Sequence, residues 1–302
     1  MGLLEDAQSA LDKGVSKARG AVSTVAGEHF GFVRTFARLC TDGAAEGFHE
    51  RNGGNASYRL TWDDVSSLKP YFYVQPSSWV ALESPVPALG GEFVLVTGSG
   101  VHLRNVASDV ARATGVVELS AAGDAWRLQW GLAGGGLPTS ELGAHLSAHE
   151  VRTSVTNGSC RVLYHAHPAA LVALSALVPA DARTLTRLLW GSFTESVVAI
   201  PQGVGALVWE VPGSSALARA TTEALASFPA CVWQLHGVFA SGDSCDEAFG
   251  LVCALEKAAD VYLRARTANA GRPDLPFSLN DAAIRATAQA YGLPLNEAFL
   301  RS

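Results

Sequence analysis

The chain has little charge for its size and no concentrated block of positive charge. Only 17% of its 302 residues are charged, and the formal net charge is −6. Proteins that bind nucleic acids through the phosphate backbone carry clustered lysine and arginine side chains. The composition therefore argues against a nucleic-acid partner.

The sequence also lacks a membrane-spanning run, a secretory signal and a CxxC motif. The longest apolar run, around residues 169–180, is too short to cross a bilayer, and residues 1–25 carry charges throughout. The five cysteines are scattered, without the paired spacing of a disulfide framework or a thiolate metal site. These absences predict a cytoplasmic protein with reduced thiols and no membrane partner.

Hydrophobic residues, by contrast, make up 48% of the chain, which is enough for a large core. Helical and strand-like stretches alternate without a Ser/Gly-rich linker. Helices are expected over residues 30–47, 139–153, 169–177, 181–190, 246–268 and 279–291, and strands over residues 93–96, 116–119, 126–130, 162–167, 197–200 and 232–236. The pattern predicts an α/β or α+β fold, with one domain over residues 29–302 and a helical extension over residues 1–28.

The histidine pair His165 and His167 is the most informative motif. Alternate residues of a strand point to the same face, so the two imidazoles would project side by side. A third histidine, His236, ends another apolar run and precedes Gly237. Three neutral imidazoles with an open position are typical of a catalytic zinc site. The alternative is that each histidine is an ordinary polar residue of the core.

A second set of possible metal ligands lies on a predicted helix. Glu141, His145 and His149 are spaced four apart and would share one helix face. The alternative is that the two histidines belong to a packing face or to the helix surface. This set is a weaker candidate for a metal site than the first.

Three segments could bind an anion through neutral donors. Turns over residues 52–55 and 97–100 are rich in glycine, which lets backbone N–H groups approach a ligand closely. The predicted helix N-terminus at Thr139 and Ser140, either of which could be the N-cap, adds a third group of donors. No GxxxxGK[ST] pattern is present, which argues against a nucleotide P-loop. Together these segments favour a small phosphorylated substrate.

Five motifs occur in an order that resembles a known enzyme family. They are ERNGGN at 50–55, VTGSG at 96–100, PTSEL at 138–142, HAH at 165–167 and HGVF at 236–239. The set is similar to the class II aldolases that cleave sugar phosphates, a family that includes ribulose-phosphate 4-epimerase. The resemblance extends from about residue 47 to about residue 260. It implies a three-layer fold, with a central, largely antiparallel sheet between helices, and a homotetramer.

The resemblance also implies a role for each motif. His165, His167 and His236 would bind one zinc ion per subunit, and Glu141 would be the catalytic proton carrier. Glu195 matches a second carboxylate that reaches the active site of a neighbouring subunit. The expected substrate is a small phosphorylated ketose, whose phosphate and hydroxyl groups would contact Asn52, Gly54, Asn55, Ser99, Gly100, Thr139 and Ser140. A non-catalytic relative that only binds a metal or a sugar phosphate would be expected to lack Glu141, which is present here.

Residues 1–28 lie outside the resemblance. Their apolar positions have helical spacing, but the face is thin and mostly made of small side chains. One interpretation is a frayed or subunit-packing helix. The other is a helix that docks the enzyme onto an assembly, such as the shell of a bacterial microcompartment.

Overall fold

The computed structural model describes residues 30–300 as ten α-helices and nine strands, with short 3₁₀ turns between them. The predicted extension over residues 1–28 lies outside the described residues. The helices are α1 Gly31–Ala45, α2 Trp62–Leu68, α3 Val110–Ala113, α4 Leu142–Val155, α5 Ala169–Ser175, α6 Ala182–Ser192, α7 Thr194–Ala199, α8 Ser215–Leu225, α9 Cys245–Ala268 and α10 Asp281–Ala290. The strands are β1 Asn55–Arg59, β2 Val80–Ala81, β3 Phe93–Thr97, β4 Thr114–Leu119, β5 Ala125–Gly131, β6 Val162–Ala166, β7 Gly205–Leu207, β8 Ala230–Trp233 and β9 Gly237–Gly242.

All nine strands form one sheet in the order β2-β5-β4-β3-β1-β6-β9-β8-β7. Every pair of neighbours is antiparallel except β7 and β8, which are parallel. The centre of the sheet is β1–β6–β9, where Asn55 lies opposite His165 and His165 lies opposite Phe239. The predicted, largely antiparallel sheet is confirmed.

Helices cover both faces of the sheet, so the molecule has three layers. One face contributes Tyr164, Ala166 and Ala240 to a large core shared with α1, α6 and α9. The other face contributes Leu163 and Phe239 to a smaller core shared with α4 and α8. Because side chains alternate along a strand, Asn55, Ser57 and His165 all point toward the α4 layer.

Three of the sequence expectations are wrong in detail. Residues 197–199 belong to helix α7 and Ile200 is its C-cap, so residues 197–200 do not form a strand. His236 lies in the tight turn between β8 and β9, and not at the end of a strand. The N-cap position of α4 is occupied by Glu141, while Thr139 and Ser140 precede it in a turn. Strand β9 and helix α8 were not anticipated.

Candidate active site

The three predicted metal ligands meet at one end of the central strands. The Nδ1 atom of His165 lies 3.0 Å from the carbonyl oxygen of Val238, and the Nδ1 atom of His167 lies 2.7 Å from Oε1 of Glu50. Each Nδ1 faces an acceptor and therefore carries the proton, which leaves each Nε2 with an open lone pair. These two Nε2 atoms are 3.0 Å apart. Two bare lone pairs at that distance repel each other, and a cation held by both would relieve the repulsion.

His236 completes the cluster from the turn between β8 and β9. One ring nitrogen from each histidine lies within 4.8 Å of the others. The Nδ1 atom of His236 is buried and has no hydrogen-bond partner among the described residues. Burial lowers the pKa of His236 to about 4. The imidazole is thus neutral at pH 7, in the form that binds a metal ion.

Glycines bring the backbone close to these rings. A Cβ atom on Gly237 would meet the carbonyl of Ala166 and, at 2.8 Å, the ring of His167. Gly54 has a φ of +75°, a conformation that favours glycine, and a Cβ atom there would overlap the ring of His49. Side chains at either position would push the metal-binding segments apart.

Glu141 lies beside this cluster and points away from its own helix. Its side chain makes no capping hydrogen bond to α4, and its Oε2 atom accepts a hydrogen bond of 2.8 Å from Nδ2 of Asn55. Burial raises the pKa of Glu141, while the hydrogen bond from Asn55 opposes that rise. Asn55 is the register partner of His165, so the carboxylate and the histidines share one end of the sheet.

The predicted donor segments are partly brought together. The backbone N–H of Ser99 donates to the carbonyl of Leu137 at 2.8 Å, and that of Thr139 donates to Thr97 at 2.9 Å. The two segments therefore run side by side, and Ser99, Gly100 and Ser140 are exposed. Asn52 and Gly54 lie in the turn before β1, and Asn52 is exposed. That these groups bind phosphate stays a prediction.

An open cleft of about 1000 Å³ approaches Glu141 from the side of α4 and α8. Thr139, Ser140 and Glu141 line one wall of the cleft. Trp233 lines it as well, and its ring centroid lies 4.4 Å from that of His165. A small molecule entering this cleft reaches the carboxylate and the neutral donors together.

Glu195 is not part of this arrangement within one chain. It lies exposed in the first turn of α7, a helix that packs against α6, α9 and α10 in the opposite layer. Its carboxylate has no ion pair and no side-chain hydrogen bond within residues 30–300. Its predicted role in a neighbouring subunit stays a prediction.

The second proposed metal set does not form among the described residues. His145 and His149 are fully buried, and their nitrogens contact Ser57 and Asn55 rather than a shared ligand site with Glu141. The spacing predicted the shared helix face, but it could not show that a serine from β1 lies between the two rings. Sequence reasoning also missed Glu50 as the partner of His167, although it stands in the ERNGGN motif.

No helix within residues 30–300 is both long and apolar enough to span a membrane.

Comparison with known proteins identifies the family of this arrangement. The model of the class II aldolase and adducin N-terminal domain family matches residues 34–263. A rhamnulose-1-phosphate aldolase of Pectobacterium carotovorum is 42% identical over 236 residues, which cover 78% of this chain and 86% of the relative. Another, from Pectobacterium atrosepticum, is 38% identical over 270 residues, which cover 89% of this chain and 97% of the relative.

Solved structures show the same architecture. A sugar-phosphate aldolase from Thermotoga maritima superposes with a TM-score of 0.63 at 26% identity, covering 79% of this chain and 95% of the other. An L-fuculose-1-phosphate aldolase from Thermus thermophilus superposes with a TM-score of 0.52 at 24% identity, covering 80% and 97% of the two chains. The second likeness supports the fold alone.

Proposed function

The chain belongs to the class II aldolase and adducin N-terminal domain family, and from that membership we propose that it is a zinc-dependent aldolase acting on L-rhamnulose 1-phosphate. The products would be dihydroxyacetone phosphate and L-lactaldehyde. The choice of substrate follows the relatives named rhamnulose-1-phosphate aldolase, which are about 40% identical over most of the chain. Alternatives within the family are L-fuculose 1-phosphate cleavage and 4-epimerisation of a pentulose phosphate.

The observation that carries the proposal is the pairing of an open three-histidine cluster with a partly buried carboxylate. His165, His167 and His236 fit a zinc ion because their bare nitrogens converge and one of their buried nitrogens has no other partner. Asn55 holds Glu141 next to this cluster. A protein that only stored a metal ion would have no need for this carboxylate.

The residues can be assigned to the steps of a retro-aldol reaction. Cleavage of the C3–C4 bond transfers the proton of the C4 hydroxyl to a general base or to water, while C4 becomes the aldehyde carbon and the electron pair of the broken bond stays on C3. A bound zinc ion supplies Lewis-acid stabilisation of the negative charge that develops on the ketose oxygens. Glu141 transfers the proton at C3 that completes dihydroxyacetone phosphate. Its carboxylate is partly buried, and burial raises its pKa, which favours the protonated form that gives the proton to C3.

The remaining assignments complete the proposal. The neutral donors of residues 52–55, 99–100 and 139–140 would hold the phosphate and hydroxyl groups without placing a mobile cation near the metal. Glu195 would act in the site of a neighbouring subunit of a homotetramer. The enzyme would work in the cytoplasm, and residues 1–28 could dock it onto the shell of a microcompartment.

A coupled assay for dihydroxyacetone phosphate tests the proposal directly. The protein is given L-rhamnulose 1-phosphate as isolated, after chelation and after zinc is restored. We expect triose phosphate release that disappears on chelation and returns with zinc. Glu141→Gln, which keeps the size of the side chain, should retain zinc but lose most turnover, since amide nitrogen cannot carry the proton.

Other results of these assays would change or contradict the proposed function. Faster release from L-fuculose 1-phosphate would move the substrate assignment within the family. Conversion of a pentulose phosphate without triose phosphate release would identify an epimerase. No reaction with any of these substrates in zinc-loaded protein would contradict the enzymatic proposal, and near-normal activity of Glu141→Gln would remove that residue from the mechanism.

A further inference from the structure

A line of buried polar side chains extends from Glu141 into the core behind the site. Asn55 contacts Glu141 at 2.8 Å and Nε2 of His145 at 2.5 Å. The Oγ atom of Ser57 lies 2.6 Å from Nδ1 of His145 and 2.8 Å from Nε2 of His149. Asn55 is nearly buried, and the other three side chains have no exposed surface. This line of side chains ends at His149, whose Nδ1 atom is buried without a hydrogen-bond partner among the described residues.

Because a buried hydroxyl rarely leaves its proton unused, Ser57 donates to one ring and accepts from the other, and the hydrogen bonds of this line then run in one of two directions. In the first, His149 donates from Nε2 to Ser57, Ser57 donates to Nδ1 of His145, His145 donates from Nε2 to the Asn55 carbonyl, and the Asn55 amide donates to Glu141. In the second, every bond is reversed. The Asn55 carbonyl would then face Glu141, which would have to be protonated.

The unpartnered end at His149 decides between the two directions. The first direction leaves a bare lone pair on Nδ1 of His149, whereas the second leaves an N–H group there. A buried donor without a partner carries the full cost of its lost hydration, and buried N–H groups without partners are rare in proteins. The first direction is therefore favoured, and with it the donation of a hydrogen bond from Asn55 to Glu141.

Burial favours neutral imidazole rings at both His145 and His149. Burial lowers the pKa of His145 to about 3 and holds that of His149 well below its ordinary value. A neutral imidazole has one donor and one acceptor, as the first direction requires at both rings. Three polar residues in the core cost stability that apolar side chains would not, so a role in the site would explain them better than packing.

We infer that His149, Ser57 and His145 are positioning residues that fix the Asn55 amide with its N–H group toward Glu141. The inference rests on the proposed function, in which Glu141 is the proton carrier. Without the line, the amide of Asn55 is free to turn and present its carbonyl oxygen to the carboxylate, which would repel it. The carbonyl oxygen and one N–H of the Asn55 amide are already used in the line. Its second N–H is the side-chain donor that remains for a substrate.

Variants of His145 and Ser57 test the inference through kinetics. His145→Leu removes the donor to Asn55, and Ser57→Ala breaks the line with little change of volume. A hydrogen bond to a charged group corresponds to roughly a 10- to 100-fold effect, so we expect kcat to fall by about that factor. KM and zinc content should change little, because the metal and phosphate contacts are intact. His145→Gln, which keeps an N–H group at the position of Nε2, should recover much of the loss.

A control variant separates positioning from packing. Thr221→Val removes a buried hydroxyl that donates to the carbonyl of Leu217 in its own helix and lies outside the line. It should lower stability slightly and leave kcat unchanged. If His145→Leu and Ser57→Ala keep wild-type kcat while Glu141→Gln does not, the inference fails and the proposed function stands. If wild-type protein has no aldolase activity, the proposed function fails instead.

A spectroscopic measurement on unmodified protein does not depend on the variants folding. In zinc-loaded protein labelled with ¹⁵N-histidine, His145 and His149 should both be neutral with the proton on Nε2, and the contact of each ring with Ser57 assigns their signals. A proton on Nδ1 of either residue, or a charged ring at pH 7.5, would overturn the inferred direction.

Discussion

At the scale of single residues, hydrogen bonds donated by Nδ1 decide that His165 and His167 turn their Nε2 atoms toward the metal site. Val238 fixes His165 through a backbone carbonyl, whereas Glu50 fixes His167 through a carboxylate. Partners of this kind orient metal-binding histidines and raise their basicity. The motif that carries Glu50 also supplies Asn55, so one short segment orients both a ligand and the proposed proton carrier.

Glu50→Gln should therefore weaken zinc binding without abolishing it. The amide oxygen can accept a hydrogen bond from Nδ1 of His167 but carries no charge, so we expect roughly 10- to 100-fold lower affinity for zinc. Competition with a chromophoric chelator measures this directly. Glu223→Gln, a change at an exposed carboxylate on α8, provides the control. Equal affinity in Glu50→Gln and wild type would show that the contact with His167 has no effect on the metal.

Buried neutral histidines make the stability depend on pH. In the folded protein the pKa of His149 lies well below the ordinary value of 6.5, so the unfolded chain binds more protons in acid. The contribution of neutral His149 is complete above pH 6.5 and is lost as the pH falls toward its lowered folded pKa. His149→Gln keeps the donor to Ser57 but does not titrate.

Between pH 6 and pH 5, the free energy of unfolding of the wild type should thus fall by about 1 kcal/mol more than that of His149→Gln. Urea denaturation of both proteins, metal-free and at equal concentration, gives the two values. Metal-free protein is needed because the zinc ligands titrate as well. Identical pH dependence would mean that His149 is charged in the folded state.

At the scale of elements, the long amphipathic helices and the buried strands were predictable from periodicity. Helix α9 was expected over residues 246–268 and occupies Cys245–Ala268. Residues 197–200 were misread because a short apolar run does not distinguish a buried strand from a buried helix. The helix there depends on tertiary contacts, since the hydroxyl of Ser196 donates to the carbonyl of Leu189 in α6.

The metal ligands of the site could be predicted from the sequence, but the residues that orient them could not. Two histidines at alternate positions of a strand indicate a metal site because their imidazoles share one face. Glu141 was predicted from the resemblance to a family. The hairpin that carries His236 was missed because β9 begins and ends with glycine and is rich in small residues. Contacts such as Ser57 with His145 join positions 88 residues apart, and no local pattern reports them.

The hairpin gives a prediction for Gly237. Alanine there would bring a Cβ atom against the backbone of Ala166 and the ring of His167, so the turn holding His236 must shift. We expect Gly237→Ala to bind zinc less tightly and to lose thermal stability. Gly250→Ala is the matched control, since its Cβ would meet nothing within 4 Å and alanine favours the helix α9. Wild-type zinc affinity in Gly237→Ala would show that the close approach is not needed.

At the scale of the whole molecule, the position of Glu195 is informative. Its carboxylate is exposed on α7, in the layer opposite the one that contains His145 and Glu141. A role in catalysis therefore requires another copy of the chain, as the proposed homotetramer would provide. Glu195→Ala should accordingly impair turnover without changing zinc content. Loss of zinc in that variant would mean that the role assigned to Glu195 is wrong.

Complementation between two inactive variants tests whether the carboxylate crosses a subunit boundary. Neither Glu141→Ala nor Glu195→Ala alone has a complete site if each site takes Glu195 from a neighbour. In mixed oligomers from co-expression, a site is complete when its own chain retains Glu141 and its neighbour retains Glu195. Random assembly of equal amounts makes about one quarter of the sites complete. We expect the mixture to recover activity of that order, whereas a Glu195 that acted within its own chain would give no recovery, because no subunit would carry both carboxylates.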